Sequence, residues 1–307
     1  MSLKIALIGA GHMGRIHLGK LIDFEDVEVG GVVDVDKNTL NSIVEKHQVP
    51  IFTDYRDIPD GMAGVVIASS TGTHYEAAKY FLEKGVHVFI EKPITSEISE
   101  GEELVELAEK QGLILQIGHL ERFNPAYKEA TSHIEKPLFI EARRMSNFTG
   151  RSTDIDVVLD LMIHDIDLTL SIVKEDVTEI RAHGLNFASD KLDMVSAWLE
   201  FTGGCIACIT ASRVSVNKER NITIFEKNKQ YFVDLLNGRL TGKTKKQDGS
   251  IETLEYEAEK VDSVKEELSE FIYSIRGDKI PCVSGKEGLR ALVIAEQIKA
   301  YIARNKA

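Results

Sequence analysis

Cysteine is scarce in this chain, three in 307 residues. That is too few for a disulfide framework and agrees with a reducing compartment. Cys205 and Cys208 have C-x-x-C spacing, but they fall in the apolar, strand-like run Gly204 to Ser212. Residues three apart on a strand point to opposite faces, so the two thiols diverge and read as buried structural groups rather than a redox or zinc pair. Positive charge is also short, 37 Lys and Arg against 49 Asp and Glu, for a formal charge of −12. This argues against nucleic acid or an anionic membrane as a general partner, and an anionic substrate would need a local basic cluster. No apolar run approaches the ~20 residues of a membrane span. The first strand begins almost at the N-terminus, leaving no room for a signal peptide, so a cytoplasmic protein is expected. Repeats, low-complexity tracts and flexible linkers are missing as well. What remains, 43% hydrophobic and 28% charged residues, describes a soluble globular chain long enough for two domains with their own cores.

The most informative stretch is Lys4 to Gly14. The strand-type run Ile5 to Ile8 feeds directly into Gly9, Gly11 and Gly14, spaced G-x-G-x-x-G, and a helix-compatible segment follows. Gly9 permits the tight turn, Gly11 lets backbone approach a pyrophosphate, and Gly14 lets helix and strand pack closely. The diphosphate then meets the helix N-terminus, with the backbone of His12 and Met13 beside it. Val27 to Val33 is the next strand, and Asp34 stands about 20 residues past Gly14, where a carboxylate accepts from the ribose hydroxyls. Val35-Asp36-Lys37 follows Asp34 without an arginine, which favours NAD over NADP because a carboxylate repels a 2′-phosphate.

The first third alternates strands (Leu3 to Ile8, Val27 to Val33, Gly64 to Ala68, Val86 to Ile90, Leu113 to Ile117) with segments of helical period (Met13 to Phe24, Lys37 to His47, His74 to Lys84, Ser96 to Gln111). This is the grammar of βαβ units on a doubly wound parallel sheet. Lys84-Gly85 and Gln111-Gly112 read as helix stops. Near Gly118 the pattern changes. Phe123-Asn124-Pro125 reads as a cap with proline at the first helical position, starting a helix to about Ile134. Pro137 to Asn147 follows as a strand, Phe148 to Thr153 as a loop, and Ile155 to Val173 as a helix. Strands then run from Glu179 to Phe187, Asp193 to Phe201, Cys205 to Val214, Arg220 to Glu226 and Gln230 to Leu236, and two helices, Ser263 to Arg276 and Gly285 to Ala303, close the chain. Residues 1–119 are therefore expected to form an α/β domain, and residues 120–307 an α+β domain with an open, mostly antiparallel sheet.

Three further groups carry chemistry. Glu91-Lys92-Pro93 directly follows a strand whose carboxyl end belongs to the ligand crevice of an open α/β sheet. Lys92 there is suited to donate to a substrate hydroxyl or carbonyl oxygen. Asp160, His164 and Asp167 share one face of a helix, and a histidine flanked by carboxylates suits general acid–base work near neutral pH. Taken alone, that face is explained at least as well by capping and solvation, and one histidine gives no metal set. Ser69, Ser70, Thr71 and His74 follow another strand end, where their hydroxyls and amides suit either cofactor contacts or helix capping. His119, Arg122 and Asn124 are expected on the crevice rim. Arg143, Arg144 and Arg151 are the best local anion-binding candidates, although strand-face solvation explains the first two equally well.

In combination, Gly9-Ala-Gly11-His12-Met13-Gly14, Glu91-Lys92-Pro93 and Asp160…His164-Asp165 resemble the glucose-fructose oxidoreductase/inositol dehydrogenase/MocA family over essentially the whole chain. The resemblance implies an N-terminal Rossmann domain that binds NAD. It also implies a substrate-binding α+β domain whose open sheet builds a homodimer or homotetramer. It assigns Lys92, Asp160 and His164 to catalysis: the histidine takes a hydroxyl proton while Lys92 and the aspartate orient and polarise the carbinol. It places Glu91 and Lys92 with the cofactor-binding residues as well. Ser69-Ser70 stands where the family often has Thr-Pro. Gly118-His119-Leu-Glu-Arg122-Phe-Asn124-Pro125-Ala is similar to a segment of the branch that oxidises the 3-hydroxyl of UDP-N-acetylglucosamine, with Arg151 suited to the diphosphate. Dehydrogenation of a free polyol such as inositol, reduction of an unsaturated substrate, and non-catalytic NAD sensing are the other readings compatible with these residues.

Overall fold

The computed structural model, which describes residues 2–150 and 155–305, begins with β1 (Leu3–Ile8), α1 (His12–Ile22) and β2 (Val27–Val33). Then come α2 (Lys37–Val44), the two-residue β3 (Ile51–Phe52), β4 (Gly64–Ile67), α3 (His74–Glu83), β5 (His87–Glu91), α4 (Ile98–Gln111) and β6 (Leu115–Gly118). The six strands are parallel in the order β3-β2-β1-β4-β5-β6, the doubly wound arrangement the βαβ alternation implies. Ile5, Leu7, Val66 and Phe89 point into one apolar core, while Ala6, Ile8, Val65, Ile67, Val88 and Ile90 are buried on the opposite face, so the strands read as continuous apolar runs. Gly112 ends α4 in the left-handed region at φ 66°, and Gly85 adopts φ 76° after α3, as the two helix stops require.

The chain divides into two compact units, Met1–Leu120 with Asp262–Leu289, and Glu121–Val261 with Arg290–Ala307. A single boundary at residue 119 had grouped residues 262–289 with the second domain. The reason for the difference lies in α7 (Ser263–Ile275), whose stripe Leu268, Phe271 and Ile272 completes the core around Leu18, Leu21 and Phe89. The Phe271 and Phe89 rings meet edge to face at 5.9 Å. Gln116 Nε2 donates to the Glu267 carbonyl at 3.0 Å, and Ile117 N–H donates to the Val283 carbonyl at 3.0 Å.

The second unit contains α5 (Pro125–His133), β7 (Phe139–Met145), α6 (Ile163–Val173), β8 (Val177–Leu185), β9 (Met194–Phe201), β10 (Ile206–Ser212), β11 (Glu219–Phe225), β12 (Lys229–Asp234), β13 (Arg239–Lys245) and β14 (Ile251–Glu257). The eight strands lie in the order β14-β13-β12-β11-β7-β10-β9-β8. Among the described residues of this sheet only β7 and β10 pair in parallel; every other pair is antiparallel. Ile140, Ala142, Ala197, Ile209 and Ile222 face a core shared with Tyr127, Ile163, Ile166 and the α8 residues Ala291 and Ile298, α8 being Gly285–Arg304. The other face carries Phe139, whose ring lies 6.1 Å from both Trp198 and Phe225. Cys205 and Cys208 are free, and burial pushes the Cys205 thiol up to about 11, which keeps it unreactive. Among the described residues no helix is long and apolar enough to cross a membrane.

Three buried ion pairs lock this unit. Arg144, itself buried, donates through Nε and Nη2 to Asp165 at 3.0 and 2.8 Å and through Nη1 to Glu121 at 2.7 Å. Arg122 grips Asp167 through Nε and Nη2 at 2.6 and 2.8 Å. Asp193 accepts from the backbone of Phe187, Ala188 and Ser189 and from Arg213 Nε, while Arg213 Nη1 donates to the Ile155 carbonyl at 2.9 Å. Burial opposes the charge on Asp193, but the hydrogen bonds from Ala188, Arg213 and Phe187 outweigh it and hold the carboxyl well below the usual range.

Two outcomes follow from these pairs. A depressed folded-state value makes the Asp193 contribution present above the unfolded value of about 3.9 and lost as pH falls toward the folded one. Asp193→Asn should therefore destabilise the protein at pH 7 and flatten the acid limb of stability, as read by urea unfolding at pH 7 and at pH 3. Arg144→Met leaves Asp165 buried without its cation and should cost about 3–5 kcal/mol, with much of the loss recovered in Arg144→Met/Asp165→Leu. Guanidinium unfolding midpoints would check both variants.

Candidate active site

The glycine loop forms a cradle that side chains would fill. Gly9 sits at φ 88°, and a Cβ there would lie 2.5 Å from the backbone of Ser69. A Cβ on Gly14 would lie 1.9 Å from the Gly9 carbonyl oxygen. At Gly11 an added Cβ would meet no atom within 4 Å, so this backbone faces open space. No side chain caps the start of α1, and no acid occupies its first turn. That end is left to an external anion. His12 is exposed there and Met13 half-buried.

Asp34 closes the cradle from the end of β2. Its Oδ2 accepts from Ala10 N–H at 2.8 Å and its Oδ1 from Asp36 N–H at 2.9 Å. A cavity of about 550 Å³ opens here, lined by Gly9, Gly11, Asp34, Ser69, Ser70 and Thr73. These residues fit a dinucleotide: small backbone at the phosphates, a helix N-terminus, and a carboxylate for the ribose. Thr53, Asp54, Tyr55 and Arg56 also line the cavity and were not read from sequence. They come from the turn after β3, which carries no motif, and only Asp54 leaves a local signal by capping Arg56 N–H at 2.9 Å. The Ser69 and Thr73 hydroxyls bond each other at 2.7 Å, and Thr73 donates to the Ser70 carbonyl at 2.8 Å. Thr71 opens the short 3₁₀ turn between them.

His74 is 1% exposed. Its Nδ1 lies 3.0 Å from the Pro93 carbonyl and its Nε2 3.1 Å from the Ser69 carbonyl, so the ring is an internal tie between two loops. Burial holds its pKa below the ordinary imidazole value. Glu91 is the last residue of β5 and Lys92 follows it, half-buried. The Glu91 carboxylate accepts from His17 Nε2–H at 2.6 Å through Oε1 and from Lys92 N–H at 3.3 Å through Oε2. His17 is fully buried and was also missed in sequence. Its one signal is a position three residues past Gly14, on the inward face of α1. His119 is buried beyond β6.

In the second unit the stretch before α6 is not a regular helix. Val158–Met162 forms a π-helical turn, a geometry often found at functional sites. It carries Asp160, and α6 begins at Ile163 with His164 one residue on. Asp160 and His164 are half-buried, whereas Asp165 and Asp167 are buried. The carboxylate of Asp167, which helical spacing put beside His164, is gripped by Arg122. Arg122 thereby belongs to a buried pair. Asn124 caps α5 by accepting from Ala126 N–H at 3.1 Å and donates to the Leu235 carbonyl at 2.9 Å. The expected arginine cluster does not assemble among the described residues: Arg144 is locked in the interior by Asp165 and Glu121, and Arg143 pairs at the surface with Glu219 at 3.2 Å. Arg151 lies outside the described residues. Lys92 belongs to the first compact unit, Asp160 and His164 to the second. Among the described residues no group of three His, Cys, Asp or Glu side chains could hold a metal ion.

Comparison with known proteins agrees with this geometry. Residues 3–119 match the model of an oxidoreductase family with an NAD-binding Rossmann fold, and residues 128–230 match the GFO/IDH/MocA C-terminal domain. The UDP-N-acetylglucosamine 3-dehydrogenase of Acidithiobacillus ferrooxidans is 30% identical over 98% of this chain and 97% of its own length. One of its crystal structures superposes with a TM-score of 0.93 over 99% of each chain. The myo-inositol 2-dehydrogenase of Thermotoga maritima is 27% identical over 97% of this chain and 95% of its own. An Agrobacterium radiobacter oxidoreductase, solved with NAD+, shares the fold at 16% identity and a TM-score of 0.88, covering 100% of this chain and 98% of its own. The glycine cradle and the two matched domains lead to one conclusion: the chain belongs to the GFO/IDH/MocA family and is an NAD(P)-dependent oxidoreductase acting on CH–OH groups.

Proposed function

We propose that the protein oxidises the 3-hydroxyl of a UDP-N-acetylhexosamine with NAD. The observation that carries this reading is the full-length likeness to the UDP-N-acetylglucosamine 3-dehydrogenase, 30% identical with both domains covered. A bound nicotinamide supplies the hydride acceptor. The chain supplies the rest. His164 takes the hydroxyl proton, Asp160 one turn before it orients the ring, and Lys92 donates to the carbinol oxygen and stabilises charge developing there. Asp34 selects NAD, because its carboxylate, held by Ala10 and Asp36 N–H groups, accepts from a ribose hydroxyl and repels a phosphate. The sheet face bearing Phe139, Trp198 and Phe225, with Glu141, Arg143 and Thr210 in register beside them, would serve subunit association as a homodimer or homotetramer through mixed apolar and polar contacts.

A second reading has its own support. The inositol dehydrogenase relative is 27% identical across nearly the whole chain, and oxidation of a free polyol would use the same proton and hydride steps. With Arg144 buried and Arg143 paired, a diphosphate must be met by other groups, which sharpens the contrast between the two substrates.

Three measurements test these statements. Reduced-nicotinamide absorbance is followed with NAD and UDP-N-acetylglucosamine, myo-inositol, glucose or N-acetylglucosamine, in the presence of a keto trap. Signal with the UDP-sugar alone is expected, and signal with a free polyol alone would replace the substrate. Silence with every sugar would favour reductase or sensor chemistry. His164→Ala should lower kcat by about 10²–10⁴-fold with little change in NAD affinity; retained turnover removes the base assignment. Asp34→Ser should shift the ratio of kcat/KM for NADP over NAD upward by about tenfold or more, checked by initial rates with each cofactor.

A further inference from the structure

Two buried histidines flank the tripeptide Glu91-Lys92-Pro93, and the one on α1 has no role in the reading above. His17 is 0% exposed and lies against Phe89, ring centroids 5.4 Å apart. Its Nδ1 is buried with no hydrogen-bond partner among the described residues. A leucine of similar size would fill this slot without the unpaired Nδ1 but would leave Glu91 Oε1 without its donor. What histidine adds is the Nε2–H donated to Glu91 Oε1 at 2.6 Å.

That bond confines a carboxylate with little room elsewhere. A Cβ on Gly118 would lie 3.0 Å from Glu91 Oε2, so the acid rests directly on the β6 backbone. With Oε1 taken by His17, Oε2 turns to the Lys92 N–H at 3.3 Å. On the far side of Lys92, His74 Nδ1 lies 3.0 Å from the Pro93 carbonyl. The lysine backbone is thus fixed before and after by side chains from α1 and α3. We propose that His17 is a positioning residue: acting through the Glu91 carboxylate, it sets the backbone of Lys92 and with it the direction in which the ammonium group points. The proposal rests on the catalytic role of Lys92 proposed above.

The test uses the full chain with NAD and UDP-N-acetylglucosamine, or with myo-inositol where that sugar turns over, beside an amide-exchange measurement that needs no substrate. His17→Leu should stay folded, its melting temperature lowered by about 2–4 °C for the lost hydrogen bond, and should keep the wild-type NAD dissociation constant by calorimetry. It should lower kcat about 10- to 100-fold, the scale of a small misplacement of a reacting group. Exchange of the Lys92 amide should rise about tenfold. His17→Gln, whose amide N–H reaches toward the same oxygen, should restore most of both quantities. Wild-type kcat and unchanged Lys92 exchange in His17→Leu would overturn the proposal. So would equal losses in the leucine and glutamine variants accompanied by a fall in melting temperature beyond that range, the pattern of a purely structural residue. Lys92→Ala separates the two layers. Undiminished turnover there overturns the catalytic reading of Lys92, whereas lost turnover there with an unaffected His17→Leu overturns the role of His17 alone.

Discussion

Gly14 and the carbonyl of Gly9 approach so closely that a Cβ would sit 1.9 Å from the oxygen. The first unit depends on that contact. It seats the start of α1 on the end of β1 and leaves the helix terminus uncapped beside the cavity. It brings Ala10 N–H within reach of Asp34. One helical turn further on, the same seating delivers His17 to Glu91. The glycine loop, the Asp34 carboxylate and the Glu91-Lys92 loop are therefore placed by a single steric allowance.

The second unit is organised by charge rather than by the absence of a side chain. Asp165 and Asp167 enter the interior on the first turns of α6, each met by an arginine. Burying such pairs adds little to stability compared with apolar packing. What they add is direction. A helix tied by two two-pronged arginine grips has one rotation and one depth on its sheet, and His164 rides on that helix beside Asp165.

The fold of the first unit was legible because its signals are local. Apolar runs of Val and Ile and glycine at left-handed stops each act within a few residues, and β1 and β2 fall where the runs place them. β13 and β14 were not seen. Arg-Leu-Thr-Gly-Lys-Thr-Lys and Ile-Glu-Thr-Leu-Glu-Tyr-Glu carry few apolar residues in no regular alternation, with β14 at the sheet edge and β13 beside it, so their strand character comes from pairing, which composition does not carry. β3 is too short to show a period. The two readings of Arg143 and Arg144, anion binding or strand-face solvation, stayed undivided for a related reason. Arg143 and Arg144 are adjacent in sequence, yet strand alternation sends one to solvent and the other to Asp165. His17 and Tyr55 had no motif to announce them, since burial and cavity lining are tertiary facts.

The discontinuity of the first unit has a consequence for how the molecule comes into being. Phe271, which covers Phe89, is synthesised only after residues 121–261. While a ribosome is still extending the second unit, the parallel sheet has its α1 side incompletely covered, with Phe89 and Leu18 lacking their α7 partners. Chains emerge N-terminal part first and domains usually fold as they appear, but here the first domain cannot close until the chain is nearly finished. The second unit closes later still, because Arg290–Ala307 brings Ala291 and Ile298 to its core, so neither unit is complete until the C-terminal helices have been made.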